Sequence, residues 1–148
     1  MTDENFDYSQ TKLIKHFSNG LTRNLILWII SKEKIHGYGI MKKLDEFFDF
    51  GELDCDIKNT SSKVYPILRK MESNGLIVGE WDINENNKRV KYYTITDDGL
   101  LILDRIGLVM RSIVNNPTWL MFYKDMAGVE ISYEKRNRNQ ESNKNLQQ

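Results

Sequence analysis

Ten side chains in the middle of the chain have the types and spacing to hold a polyanion and read its surface. Ser61, Ser62, Lys63, Tyr65, Pro66, Arg69 and Lys70 fall within one short stretch, and Lys88, Arg89 and Lys91 follow a little downstream. An arginine fork can grip a guanine edge through two parallel hydrogen bonds, whereas lysines and hydroxyls suit phosphate oxygens. Lys58 and Lys63 also lie where a cation opposes a helix dipole, a placement that makes sense beside an anion. A solvated basic face is the plain alternative for such a stretch taken alone.

Two elements must position these groups. The first is a helix starting near residues 61–63. Val64, Ile67, Leu68 and Met71 recur at i, i+3, i+4 and i+7, a full apolar face. Thr60, Ser61 and Ser62 offer side-chain oxygens to the first-turn N–H groups, Asn74-Gly75 supplies a stop, and Pro66 requires a start close by. Ser62, Tyr65, Pro66, Arg69 and Ser73 then line the opposite face. The second element is a hairpin, with strand-like runs over 76–83 and 88–95 joined by Asn84-Glu85-Asn86-Asn87. Lys88, Arg89 and Lys91 are expected at its distal end. The expected fold class is mainly α with a small β-hairpin (α+β), a winged helix-turn-helix with a C-terminal dimerisation helix.

Three motifs carry a resemblance. His36-Gly37-Tyr38-Gly39-Ile40 comes first, and Ser62-Lys63-Val64-Tyr65-Pro66 with Asn74-Gly75-Leu76-Ile77 follows. Tyr92-Tyr93-Thr94-Ile95-Thr96-Asp97-Asp98-Gly99 completes the set. Over residues 21–114 the chain resembles the PadR family of winged-helix transcriptional regulators. Two departures from the family pattern stand out: Ser62-Lys63 stands where Gly-Ser/Thr is usual, and Gly39 replaces a Glu. A helical Gly costs about 1 kcal/mol against Ala. The resemblance implies a DNA-binding regulator, in most cases a repressor, sometimes responsive to small apolar or phenolic effectors; no residue here identifies one.

Composition sets the bounds. The chain has 148 residues, 40% hydrophobic and 28% charged, with 21 basic and 21 acidic side chains. That is a globular composition with no global field to announce nucleic acid. The distribution is uneven: residues 1–57 hold 7 Lys/Arg against 10 Asp/Glu, and residues 58–91 hold 7 against 4. A single Cys55 permits no internal disulfide, and neither Cys nor His spacing suits zinc, so no metal or cofactor is expected. No signal peptide or membrane span is read, and a reducing cytoplasm fits.

Around the central elements, residues 1–20 read as an N-terminal arm with a short helix over 11–17 that ends at Ser18-Asn19-Gly20. Residues 21–96 form the winged-helix unit. A helix over 21–32 presents Leu21, Leu25, Trp28 and Ile29, widened by Ile26 and Ile30, and a helix over 38–48 presents Tyr38, Met41, Leu44, Phe47 and Phe48. His36 is expected to cap the turn at Gly37, and residues 50–56 to form an acidic loop. Thr96 caps a long helix reaching about Val114, whose Leu103, Ile106, Met110 and Ile113 follow coiled-coil spacing. With Trp119, Leu120 and Phe122, these residues are expected to bury residues 97–131 against a second subunit, as dimerisation helices or partly as a lid. Residues 132–148 read as a disordered polar tail.

The leading reading is therefore a cytoplasmic homodimer that binds a pseudo-palindromic double-stranded DNA operator. A winged-helix module that binds proteins and does not read DNA is the second. An enzyme is the weakest, for want of a nucleophile with its base, paired carboxylates in a site, or a phosphate loop.

Overall fold

A computed structural model describes residues 12–52 and 57–128. The N-terminal arm over 1–10, Cys55 with its flanking acids, and the tail over 132–148 lie outside the described residues. The elements run α1 (Lys12–Lys32), β1 (Ile35–His36), α2 (Gly37–Phe47), α3 (Ser61–Ser73), β2 (Ile77–Ile83), β3 (Arg89–Ile95), α4 (Asp97–Ile113) and α5 (Pro117–Ala127). They form two compact units that divide within α4, after Asp104.

The first unit is built on apolar periodicity. Ile26, Leu27, Ile29 and Ile30 of α1 meet Ile40 and Leu44 of α2 and Val64, Leu68 and Met71 of α3, with Ile35, Ile77 and Tyr93 from the sheet. On α3 the expected face is the observed one, with Ile67 at its margin. On α2 the stripe is rotated. Gly37, Ile40 and Leu44 are buried, whereas Tyr38 and Phe47 are exposed. Phe47 packs edge-on against Trp28, itself exposed on α1, at 5.8 Å between centroids.

One local expectation is corrected, and one strand is added to the expected hairpin. No break occurs at Ser18-Asn19-Gly20, because α1 runs unbroken from Lys12 to Lys32. Ser18 and Thr22 are buried on its inner side, and the Thr22 hydroxyl donates to the Ser18 carbonyl at 2.8 Å. That bond consumes a polar group which would otherwise favour a turn, and one Gly in a long packed helix is a small cost. The sheet also has three strands, in the order β1-β3-β2, all antiparallel. The added strand pairs Ile35 with Tyr93 and His36 with Tyr92.

The junction after α3 is tightly tied. Gly75 takes φ +74°, and the Leu76 N–H donates to the Met71 carbonyl at 3.0 Å, closing the helix. Thr96 then reaches back: its N–H donates to the Leu76 carbonyl at 3.1 Å and its hydroxyl to the Gly75 carbonyl at 2.6 Å. The same hydroxyl accepts from the Gly99 N–H at 3.1 Å, so Thr96 caps α4 as expected. Gly99 lies directly on the Leu76 carbonyl, where a Cβ would collide with it.

In the second unit, Asn116 caps α5 by accepting from the N–H groups of Thr118 and Trp119 at 3.0 and 3.4 Å, with Pro117 opening the helix. Gly128 closes it at φ +68°. Trp119 and Phe122 meet edge to face at 5.7 Å. None of the described residues of this unit is buried, although Leu108, Val109, Met110, Met121 and Phe122 are all apolar.

Candidate nucleic-acid interface

The outer face of α3 carries Ser61, Ser62, Tyr65, Pro66, Arg69 and Lys70 exposed, with Lys63 half-buried. Its N-terminus is not capped as the sequence suggests. Thr60 occupies the cap position without a side-chain cap bond, and its hydroxyl is hydrogen-bonded to that of Ser62 at 2.8 Å. The hydroxyls satisfy each other, so Thr60 places no side-chain oxygen on the first-turn N–H groups. Burial lowers the Lys63 pKa from the ordinary lysine value. Pro66 sits in the second turn, so the Ser62 carbonyl lacks the N–H that a helix would normally bring to it.

Tyr65 is held from below by α2. A Cβ on Gly37 would lie 2.6 Å from the Tyr65 hydroxyl, so the tyrosine fits only because position 37 has no side chain. The first and second sequence motifs are thereby one contact. His36 caps α2 as expected, its Nδ1 accepting from the Gly39 N–H at 2.9 Å. Gly39 has a packing role of its own: a Cβ there would approach Ile35 Cγ1 to 2.9 Å, crowding a core side chain.

Beside α3 stands the hairpin. Its five-residue tip, 84–88, is ordered by Asn84, whose side chain accepts from the N–H groups of Asn86 and Lys88 at 3.1 and 2.9 Å, and Asn87 takes φ 57°. Register sets Gly79 opposite Tyr93, Trp81 opposite Lys91 and Ile83 opposite Arg89, so these six share one face. Near its base this face enters the core through Ile77 and Tyr93. Towards the tip it leaves the core, and Trp81 is 59% exposed. The Arg89 guanidinium lies over the Trp81 ring at 4.8 Å.

Arg69 and Tyr65 of α3, Tyr38 of α2, and Trp81 and Arg89 of the hairpin line one groove of about 470 Å³. The structure thus brings Tyr65, Arg69, Arg89 and Lys91 to one concavity. Lys88 is exposed at the tip, while Ser61 and Ser62 lie at the far end of the helix. Lys91 differs from its neighbours. It sits back from the tip, and its Nζ bonds Glu72 Oε2 at 2.8 Å. Gly37, Tyr38, Trp81 and Glu72 escaped the sequence reading as site residues. The strand alternation that pairs Trp81 with Lys91 is the one signal that could have found the tryptophan.

Of the residues expected at a dimer seam, Leu103 packs partly against the core of the first unit. Ile106, Ile113 and Leu120 are half-buried, and Met110, Trp119 and Phe122 are exposed. Among the described residues, no group of three or more His, Cys, Asp or Glu could hold a metal ion, and no helix is long and apolar enough to cross a membrane.

Comparison with known proteins agrees with this architecture. The model of the Transcriptional regulator PadR-like family matches residues 26–105. No curated protein matches. Among solved structures, a PadR-like transcriptional regulator from Bacillus cereus is 30% identical at a TM-score of 0.53, covering 71% of this chain and 95% of that one. A PadR family regulator from Eggerthella lenta is 27% identical at 0.57, covering 70% and 84%. A PadR family regulator from Clostridium difficile is 25% identical at 0.55, covering 74% and 100%. With its motifs, its hairpin and a family match across more than half its length, this chain belongs to the PadR-like family of transcriptional regulators.

Proposed function

We propose that the chain is a cytoplasmic repressor that binds a pseudo-palindromic operator in double-stranded DNA as a homodimer, each subunit offering α3 to a major groove and the hairpin to the adjoining backbone. The observation that carries this reading is the shared groove, in which Arg69 at the centre of the exposed α3 face and Arg89 on the hairpin converge. Arg69 is placed for base edges. Ser61, Ser62, Lys63 and Lys70 flank it for phosphates, and the start of α3, which the Thr60 side chain does not cap, suits the same partner. Lys88 and Arg89 meet backbone. The exposed apolar residues of α4 and α5, Met110 and Phe122 among them, support dimerisation through those helices.

The test is fluorescence anisotropy with a selected operator duplex and a scrambled one across a salt series. Arg69→Ala should cost about 1–3 kcal/mol on the operator and far less on the scrambled duplex. Replacing Lys88 and Arg89 together by Ala should weaken both duplexes alike and reduce the salt slope by about two counterions per subunit. If neither duplex binds the wild-type protein, the reading fails and a protein-binding winged helix takes its place.

A further inference from the structure

Lys91 and Glu72 form a link between the two elements that are read above as contacting DNA. Lys91 lies on β3 and Glu72 on the last turn of α3, and Nζ meets Oε2 at 2.8 Å. Both side chains are largely shielded, with 27% and 32% of their surfaces exposed. The hydrogen bond to Glu72 raises the Lys91 pKa against the opposing effect of burial.

The path between them is built into the strands. The Lys91 stem crosses β2 at Gly79, where a Cβ would collide with Lys91 Cε and come within 3.1 Å of Glu72 Oε1. Any side chain at that position would block the crossing. Gly within a strand interior weakens it, and close approach by another group is the usual compensation. The described ion pairs Lys34–Asp82 and Lys43–Glu33 are longer, at 4.0 and 3.6 Å, and more exposed.

We propose that Glu72 and Lys91 are positioning residues that hold the hairpin at a fixed distance from α3, so that Arg69 and Arg89 reach one duplex together. The proposal rests on the DNA-binding reading. It gives Lys91 a different task from the tip residues Lys88 and Arg89, because its ammonium is engaged within the protein and does not displace counterions. Without the link, the hairpin beyond Tyr92, where its pairing with β1 ends, can vary its distance from α3. Two contacts held at fixed separation favour one geometry of duplex; when the separation varies, that preference is lost before general affinity is.

Three accounts of the pair predict different signs. If Glu72 were only an acid near a polyanion, Glu72→Gln would tighten binding. If Lys91 were a phosphate ligand, Lys91→Met would weaken all duplexes and reduce the salt slope by about one counterion per subunit. As a link, Glu72→Gln and Lys91→Met should each lower the preference for operator over scrambled duplex by about tenfold, within the usual coupling between neighbouring residues. The double variant should be no worse than either single one, and the salt slope should stay at its wild-type value. Lys91→Arg keeps the charge and the reach and should restore much of the preference. Circular dichroism on each variant establishes that it is folded; should Lys91→Met fail to fold, Glu72→Gln and Lys91→Arg suffice. Unchanged or tighter operator binding by folded Glu72→Gln, or additive losses in the double variant, overturns the proposal while DNA binding stands. Wild-type protein that binds neither duplex overturns both.

Discussion

Gly99 is the position where the packing can be tested most sharply. Replacing it by Ala sets a methyl group against the Leu76 carbonyl oxygen, which is backbone, and within 2.6 Å of Ile95 Cγ1. The carbonyl cannot yield without moving the backbone that leads into β2, and the Ile95 side chain must shift as well. If α4 recoils, the bonds from Thr96 to the Leu76 and Gly75 carbonyls are lost with it. Each such bond is worth about 1 kcal/mol net. Overpacking in a tight site costs about 1–3 kcal/mol, and the better helix propensity of Ala returns at most about 1 kcal/mol. The expected net loss is roughly 2–4 kcal/mol, a large share of a small domain's stability. Gly107 provides a control within the same helix, because the atoms nearest a Cβ there belong to the far end of the long Arg111 side chain, at 2.9 Å, and not to backbone. Gly107→Ala should be neutral or stabilising by up to about 1 kcal/mol. Urea unfolding followed by far-UV circular dichroism, at one fixed protein concentration, reads both variants. A Gly99→Ala protein within about 0.5 kcal/mol of wild type, or equal effects of the two substitutions, would refute the close approach.

Two further outcomes are expected. Asn59 is 7% exposed, and its side-chain Nδ2 and Oδ1 have no hydrogen-bond partner among the described residues. Asn59→Leu, close to it in size, should therefore raise stability by about 1–2 kcal/mol in the same urea assay; a loss of stability would mean that the amide is satisfied in solution. Met110, 64% exposed on α4, should lie at the subunit seam. Met110→Glu should shift the protein from dimer to monomer at micromolar concentration by light scattering, and a wild-type monomer under those conditions would remove the dimer from the proposal.

The parts of the fold that were legible in the sequence are those where a period, a cap and a stop agree. Helix α3 has Val64, Leu68 and Met71 on one face and Asn74-Gly75 at its end, and both are realised. The hairpin and the Thr96 cap are equally local and came through within a residue or so. What escaped depends on partners distant in sequence. Two residues of β1 show no period, and they become a strand only because β3 lies beside them. The Ser18-Asn19-Gly20 stretch carries turn-forming residues, yet burial of Ser18 and Thr22 overrides that preference. The site was legible as a set of basic residues but not as an arrangement. Charge alone could not separate Lys91, joined to a carboxylate nineteen positions away, from Arg89, stacked on Trp81.

The strand order has a consequence for how the chain folds. Helix α3 and the β2–β3 hairpin are contiguous in sequence and close short loops, so they can form early and independently of what precedes them. Strand β1 has one neighbour, β3, and its pairing of Ile35 with Tyr93 spans nearly sixty residues. Closing that span carries the larger entropic cost, and two residues cannot meet it without the packed helices around them. The pairing is therefore a late event, whatever the order of the earlier ones. Because β1 runs directly into the His36 cap and Gly37, the seat beneath Tyr65 is among the last features to form. On the ribosome, a chain that has not yet been extended through β3 already contains every residue of α3, but it has no finished surface to present.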